Sequence, residues 1–397
     1  MAEAVETEVR PSARVALLIE LALAVGGFAI GTGEFAIMGL MPDVARGLGV
    51  GETQVGHLIS AYALGVVVGA PLIAIFGSYL YRRQLLLLLM IFFAVGNFAS
   101  AIAPEYYSLM AFRFISGLPH GAYFGVAALV AASMVPPHKR AKAVSRVMLG
   151  ITTAMLVGNP LATWLGQLLD WRYAFGLVGA IGIATVVMVA LYLPVNRQEV
   201  RSKPLTELAA LGRRQVWLTL GIGAIGFAGM FSVFSYLAPT LINVTGIAEH
   251  WVPLVLAAFG IGAIAGNIIG GWLFDKLQFR SVGWILGFSA LILFLFPLAA
   301  NSVWSVVLSV MTVGSMVALS PALQIRLMDV AKDAQTMAAA SNHAAFNVAN
   351  ALGPWLGGMA ITAGFGWTST GYVGTAMALG GLLIYWWARW LEPKAKK

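Results

Sequence analysis

The sequence predicts an all-α membrane protein with twelve transmembrane helices in two pseudo-symmetric six-helix bundles. Two observations carry this. The 397 residues are 60% apolar and only 10% charged, where a soluble domain carries roughly 25% charged residues. A polar segment at 194–215 also divides the chain into halves that echo each other.

At about 20 residues per crossing, this apolar content fills about twelve helices. The runs lie at 15–41, 54–78, 84–102, 107–135, 143–168 and 173–194 in the first half. The second half supplies 216–242, 252–274, 281–300, 303–326, 337–363 and 368–390. Helices satisfy their own backbone in lipid. A closed barrel needs alternating segments, and 84–93 does not alternate. Residues 1–13 are acidic and polar, without the pattern of a cleaved signal. The composition excludes disorder, nucleic-acid binding and an ordinary soluble enzyme. The chain has no cysteine, so no disulfide or Cys-based metal site. No His-Glu-x-x-His, phosphate-binding Gly-Lys-Ser/Thr loop or nucleophile elbow is present, so no metal and no catalytic set are expected.

Twelve crossings place both termini on one side. That side collects Arg10, Arg14, Arg82, Arg83, Lys139, Arg140, Lys142, Arg146, the cluster between 197 and 214, Lys276, Arg280, Arg326, Lys332, Arg389, Lys394, Lys396 and Lys397. The opposite loops hold only Arg46 and Arg172, and Arg113 lies within a span. The positive-inside rule makes both termini cytoplasmic. The net charge of +8 then records topology and contact with anionic lipid.

The expected organisation is a bundle at 1–193, a cytoplasmic linker at 194–215 and a bundle at 216–397. Gly77-Ser78-Tyr79-Leu80-Tyr81-Arg82-Arg83 corresponds to Phe274-Asp275-Lys276-Leu277-Gln278-Phe279-Arg280 at an offset of 197. Trp171 corresponds to Trp367 at 196, and Gly158-Asn159-Pro160 to Gly353-Pro354. Duplicated six-span halves with a site between them are a transporter architecture.

The chain resembles the major facilitator superfamily over nearly its whole length. The best match is its drug:proton antiporter branch, in the arabinose-efflux-permease-like and sugar-efflux-like members. The resemblance rests on Gly31-Thr32-Gly33-Glu34-Phe35, Gly39-Leu40-Met41-Pro42, Ser60-Ala61-Tyr62-Ala63-Leu64-Gly65 and Gly69-Ala70-Pro71. Arg82-Arg83, Arg113, Gly117-Leu118-Pro119-His120-Gly121, Gly158-Asn159-Pro160 and Trp171-Arg172 complete the ordered set. Ser78 and Tyr79 stand where the family carries an acidic-basic pair, while the second half keeps Asp275-Lys276. The resemblance implies the major facilitator fold and proton-coupled export of a small organic solute, sugar or drug. It also implies an inner-membrane location and no cofactor beyond the proton gradient. Protons, solute and lipid are the expected partners of a monomer. An uptake symporter or uniporter of the same fold, and a non-transporting receptor, remain alternatives.

Glu34 is the sharpest single signal. It lies eight residues before Pro42, hence about 12 Å inside the membrane at about 1.5 Å per residue. A carboxylate at that depth must pair, face water or take a proton. Arg113 lies at comparable depth in the fourth span, and would hold a nearby Glu34 ionised, snorkel outward or brace backbone carbonyls. His120, seven residues on, shares roughly its helix face and could relay a proton, bind solute or merely pack. His343 has the same alternatives. Asn342, Asn347, Asn350, Asn159, Gln324, Tyr62 and Tyr236 are candidate solute contacts or interhelical bonds. Glu20, near the cytoplasmic surface and within reach of water, is expected to be structural. Arg82, Arg83, Asp275, Lys276 and Arg280 are expected to change contacts between states. Gly158, Pro160, Gly353 and Pro354 are expected to allow bending.

Overall fold

A computed structural model describes residues 12–77, 79–136, 140–195, 212–331 and 335–392. Twelve long helices order the described residues, without a strand. They are α1 (Arg14–Gly39), α2 (Glu52–Ile73), α3 (Arg82–Ala101), α4 (Tyr106–Ser133), α5 (Ala143–Leu168) and α6 (Trp171–Tyr192). The second half holds α7 (Arg214–Ser235), α8 (Glu249–Leu277), α9 (Arg280–Ala299), α10 (Val303–Ala331), α11 (Gln335–Ala360) and α12 (Ser369–Trp390). Ser78, Lys139, Lys332, the lysines after 392 and most of the expected linker lie outside the described residues.

Ten of these helices, α1 to α10, are both long enough and apolar enough to cross a membrane. The 26-residue α11 and 22-residue α12 have the length. Their apolarity is diluted by Asn342, His343, Asn347 and Asn350 in α11, and by glycine, threonine and aromatic residues in α12. Asn342, Asn347 and Asn350 are buried inside the bundle, away from lipid.

The halves repeat one another in detail. A Cβ at Gly117 of α4 would strike the Tyr62 carbonyl of α2, and one at Gly314 of α10 would strike the Phe259 carbonyl of α8. Gly65 and Gly69 press on the backbone at Phe114 and Leu118, as Gly262 and Gly266 press on that at Met311 and Ser315. Every pair corresponds at the offset of 197 seen in the sequence. Small residues let helix backbones approach closely where no side chain intervenes. The interruptions repeat as well. Helix α4 breaks at Leu118–Pro119, and α10 tightens into a 3₁₀ turn at Ser315–Ala318. Proline removes one backbone donor at the first site.

The halves meet along two matched seams, α2 on α11 and α5 on α8. A single π-helical turn at Ala154–Gly158 precedes Asn159 and Pro160 in α5, where bending is expected from the sequence. Gly260 of α8 packs on that turn, at Met155 and Leu156. Around Gly353 and Pro354, α11 continues unbroken, and a π turn at Ile361–Phe365 follows it. Tight loops join the helices. Gly49 and Gly246 adopt positive φ after the short helix Met41–Leu48 and the extension of α7. Gln278, between α8 and α9, takes φ 50°, a region that favours glycine.

Candidate functional site

Glu34 lies in α1 and is buried. Gly33 beside it leaves room for Phe93 and Val178, each close to where a Cβ would stand. The carboxylate reaches across the seam. Asn350 Nδ2 of α11 donates to Glu34 Oε1 at 2.8 Å. On the other side, His120 Nδ1 lies 4.0 Å from Glu34 Oε2. The same ring nitrogen is 3.2 Å from the Tyr62 hydroxyl of α2. One acid, one imidazole, one phenol and one amide from four helices therefore converge.

Arg113 completes the cluster without bonding the carboxylate. Its Nη1 donates to the Gly33 carbonyl at 2.8 Å. Its guanidinium lies 4.3 Å from the centre of the Tyr62 ring and 5.3 Å from that of Phe175. Of the three roles the sequence leaves open, the backbone brace is the bond present, and full burial excludes snorkelling. Its fully buried Nε and Nη2 have no hydrogen-bond partner among the described residues. Buried polar groups are nearly always satisfied, so these donors are suited to a polar ligand or to water.

A second polar group lies beyond the aromatic rings. Phe124 stacks on His343 of α11, with ring centres 5.7 Å apart and planes 7° from parallel, and leans on His120 at 5.3 Å. Asn342 donates to Gln324 of α10 at 2.8 Å, and Asn347 to the His343 carbonyl at 3.0 Å. The carbonyl oxygens of Asn347 and Asn350 are buried and unpartnered among the described residues. The site thus brings together Glu34, Tyr62, Arg113, His120 and Asn350, with His343, Asn342, Asn347 and Gln324 adjoining.

The remaining sequence candidates sit elsewhere. Tyr236 of α7 donates to the Pro354 carbonyl at 2.8 Å, and its hydroxyl fills the space over Gly56 and Gly358. Asn159 accepts from Thr163 at 3.4 Å. Gly158 packs against Thr32 and Phe28 of α1, and Gly353 against Ala228 and Phe231 of α7. Pro160 is the second residue of Asn159–Leu168, where α5 resumes its α-helix after the π turn. Arg82 and Arg83 begin α3, and Arg83 donates to the Ala190 carbonyl at 2.7 Å. Asp275, Lys276 and Arg280 are exposed around the α8–α9 turn. Glu20, expected to be structural, holds an ion pair rather than reaching water. It is 2% exposed and accepts from Arg146 Nη1 of α5 at 2.7 Å, because α5 packs over it.

Sequence reasoning missed a cross-seam ion bridge. Arg46 binds Asp43 at 2.7 Å within its own short helix and Glu249 of α8 at 2.7 Å. Gln167 of α5 donates to the Glu249 carbonyl at 3.0 Å. Burial pushes the Asp43 carboxyl above its usual value, past the opposing pull of Arg46, with Glu249 adding to the rise. Arg46 and Asp43 are neighbours on one helix face. No spacing rule connects them to a residue some two hundred positions away.

The sequence model of the Major Facilitator Superfamily matches residues 23–342 and 220–397. Inner membrane transport protein YdhP of Escherichia coli (strain K12) is 40% identical over 375 residues, covering 93% of this chain and 95% of that protein. A Helicobacter pylori (strain P12) protein named as a probable sugar efflux transporter is 28% identical, covering 97% of each chain. The solved structure of a bacterial homolog to human lysosomal transporter Spinster, inward-facing and unoccupied, matches the fold. Its TM-score is 0.78 at 18% identity, over 95% of this chain and 98% of that one. Motif order, repeated helix contacts and these matches agree: the chain belongs to the major facilitator superfamily of membrane transporters.

Proposed function

We propose that the protein is a proton-coupled exporter, an antiporter that moves a small organic solute outward by alternating access. The observation that carries this reading is the bond from Asn350 to Glu34, which ties a buried carboxylate in one half to the other half. An ionised acceptor makes such a bond roughly twice as strong as a neutral one. Protonating Glu34 weakens the tie and allows the halves at 1–193 and 216–397 to rock about their seams. Deprotonation restores it. Tyr62 and His120, 3.2 Å from one another, stand beside the carboxyl with His120 4.0 Å from it, and Arg113 holds α1 to α4 while offering two free donors to the solute.

In this reading all twelve helices cross the membrane, with both termini cytoplasmic. The ion bridge at Arg46 then lies at the outer end. The arrangement described is latched outside and accepts solute from the cytoplasm. Export, rather than uptake, is supported by the likeness to the Helicobacter protein named as a probable sugar efflux transporter. One proton falling through 100 mV supplies about 2.3 kcal/mol. That concentrates a neutral solute about fiftyfold.

The test uses inverted membrane vesicles with an imposed pH gradient. Sugars, nucleosides and amphipathic drugs are first screened by thermal shift at two pH values. A solute that binds should accumulate in the vesicles, and Glu34→Gln should abolish the gradient-driven part. Accumulation unchanged by Glu34→Gln refutes the role given to Glu34.

A further inference from the structure

The end of the second half at which α8 finishes and α9 starts holds a cavity of about 540 Å³. Four cations line it, Lys276, Arg280, Arg326 and Arg389, against the two acids Asp329 and Glu392. Glu392 is already bound to Arg326. Arg389 donates to the neutral Tyr385 hydroxyl, so its charge is not cancelled there. Arg326 Nε is buried without a partner among the described residues. The cavity therefore carries an excess of positive charge and an unused donor.

Its position says which anion it suits. Its walls are the ends of the membrane-length helices α8, α9, α10 and α12 with the α8–α9 turn and Glu392, so the mouth stands at headgroup depth. Trp284 follows Arg280 by one turn of α9, and Trp386 precedes Arg389 by one turn of α12, so each shares a helix face with a lining cation. Trp284, Trp386 and Trp390 are among the most exposed aromatic side chains, the last at 80%. Tryptophan gathers at the membrane interface, with its ring against acyl chains and its N–H toward the headgroups. A free anion would gain nothing from that ledge. A zwitterionic headgroup would bring its own cation toward Lys276 and Arg280.

The geometry points to a binding site for the phosphate of an anionic phospholipid, held by Lys276, Arg280 and Arg389, with its acyl chains along Trp284 and Trp386. This site is separate from the Glu34 cluster and does not depend on the direction of transport.

The test is native mass spectrometry of the full-length protein released from vesicles of phosphatidylcholine with a minor share of phosphatidylglycerol. The wild type should retain phosphatidylglycerol selectively. Lys276→Gln with Arg280→Gln should weaken retention about twenty-five-fold, at about fivefold for each interfacial cation. Trp386→Ala should also weaken it, whereas Lys276→Arg with Arg280→Lys should retain it. Retention unchanged in the Gln pair overturns the site. So does inorganic phosphate displacing the lipid with equal effect on wild type and Trp386→Ala, which marks a soluble-anion site instead.

Discussion

Asn350 Nδ2 lies 2.8 Å from Glu34 Oε1, joining residues 316 positions apart across the seam between the halves. A hydrogen bond to a charged group contributes about 1.5–3 kcal/mol. Asn350→Ala should therefore shift the balance between the two access states by about tenfold or more. The shift is readable from distances between spin labels placed at the exposed positions 107 and 304, one in each half and neither in the Arg46 bridge. The chain has no native cysteine, so labelling needs no background substitutions. An unchanged distance distribution removes Asn350 from the coupling scheme.

Arg46 makes the ion bridge between the halves from the short helix Met41–Leu48 that follows α1. Its side chain is 55% exposed, as Glu249 is at 43%. Exposed ion pairs contribute only about 0.2–1 kcal/mol. Arg46→Gln should thus open the outer end modestly, by up to about fivefold. A cysteine placed at Ser60, which bonds the Ala351 carbonyl across the α2–α11 seam, should react faster with an impermeant thiol reagent. Glu249→Gln should act alike, and the double variant should add little, because both remove one interaction.

Much of the cluster is legible in the sequence, and its closing contact is not. Glu34, Arg113 and His120 stand out because ionisable groups at bilayer depth need partners. The repeat is visible as an offset and reappears as matched contacts at Gly117 and Gly314. Pairings such as Glu34 with Asn350, or Arg46 with Glu249, join distant helices that no periodicity places side by side. Tyr236 looks like a site residue because it is a phenol in a span. Packing instead seats it under Pro354.

Asp43 yields a pH prediction whose sign runs against its ion pair. Its carboxyl is raised by burial, past the pull of Arg46. An acid whose folded value exceeds its unfolded one favours the folded state when protonated and penalises it when ionised. The penalty is present at neutral pH, shrinks as pH falls through the raised folded value and is gone below the unfolded carboxylate range, at about 4. Asp43→Asn should melt above the wild type at neutral pH, with the difference closing as pH approaches about 4. A lower melting temperature for the variant at neutral pH would show that the Arg46 bond outweighs burial.

Gly117 and Gly314 test whether the repeat is energetic as well as geometric. A Cβ on either would sit 3.1 Å from the carbonyl carbon of its partner, Tyr62 or Phe259, and press on that carbonyl's oxygen. The obstacle is helix backbone, which moves only if the helices part. Overpacking of this kind destabilises by about 1–3 kcal/mol. Gly117→Ala and Gly314→Ala should therefore lower the melting temperature by similar amounts. They should differ in transport. Parting α2 from α4 displaces Tyr62 and Arg113, which stack on one another. Parting α8 from α10 disturbs no member of the Glu34 cluster. Gly117→Ala should lose solute accumulation more severely than its equal loss of stability explains. Equal transport loss in the two variants would deny the first half its special share in coupling.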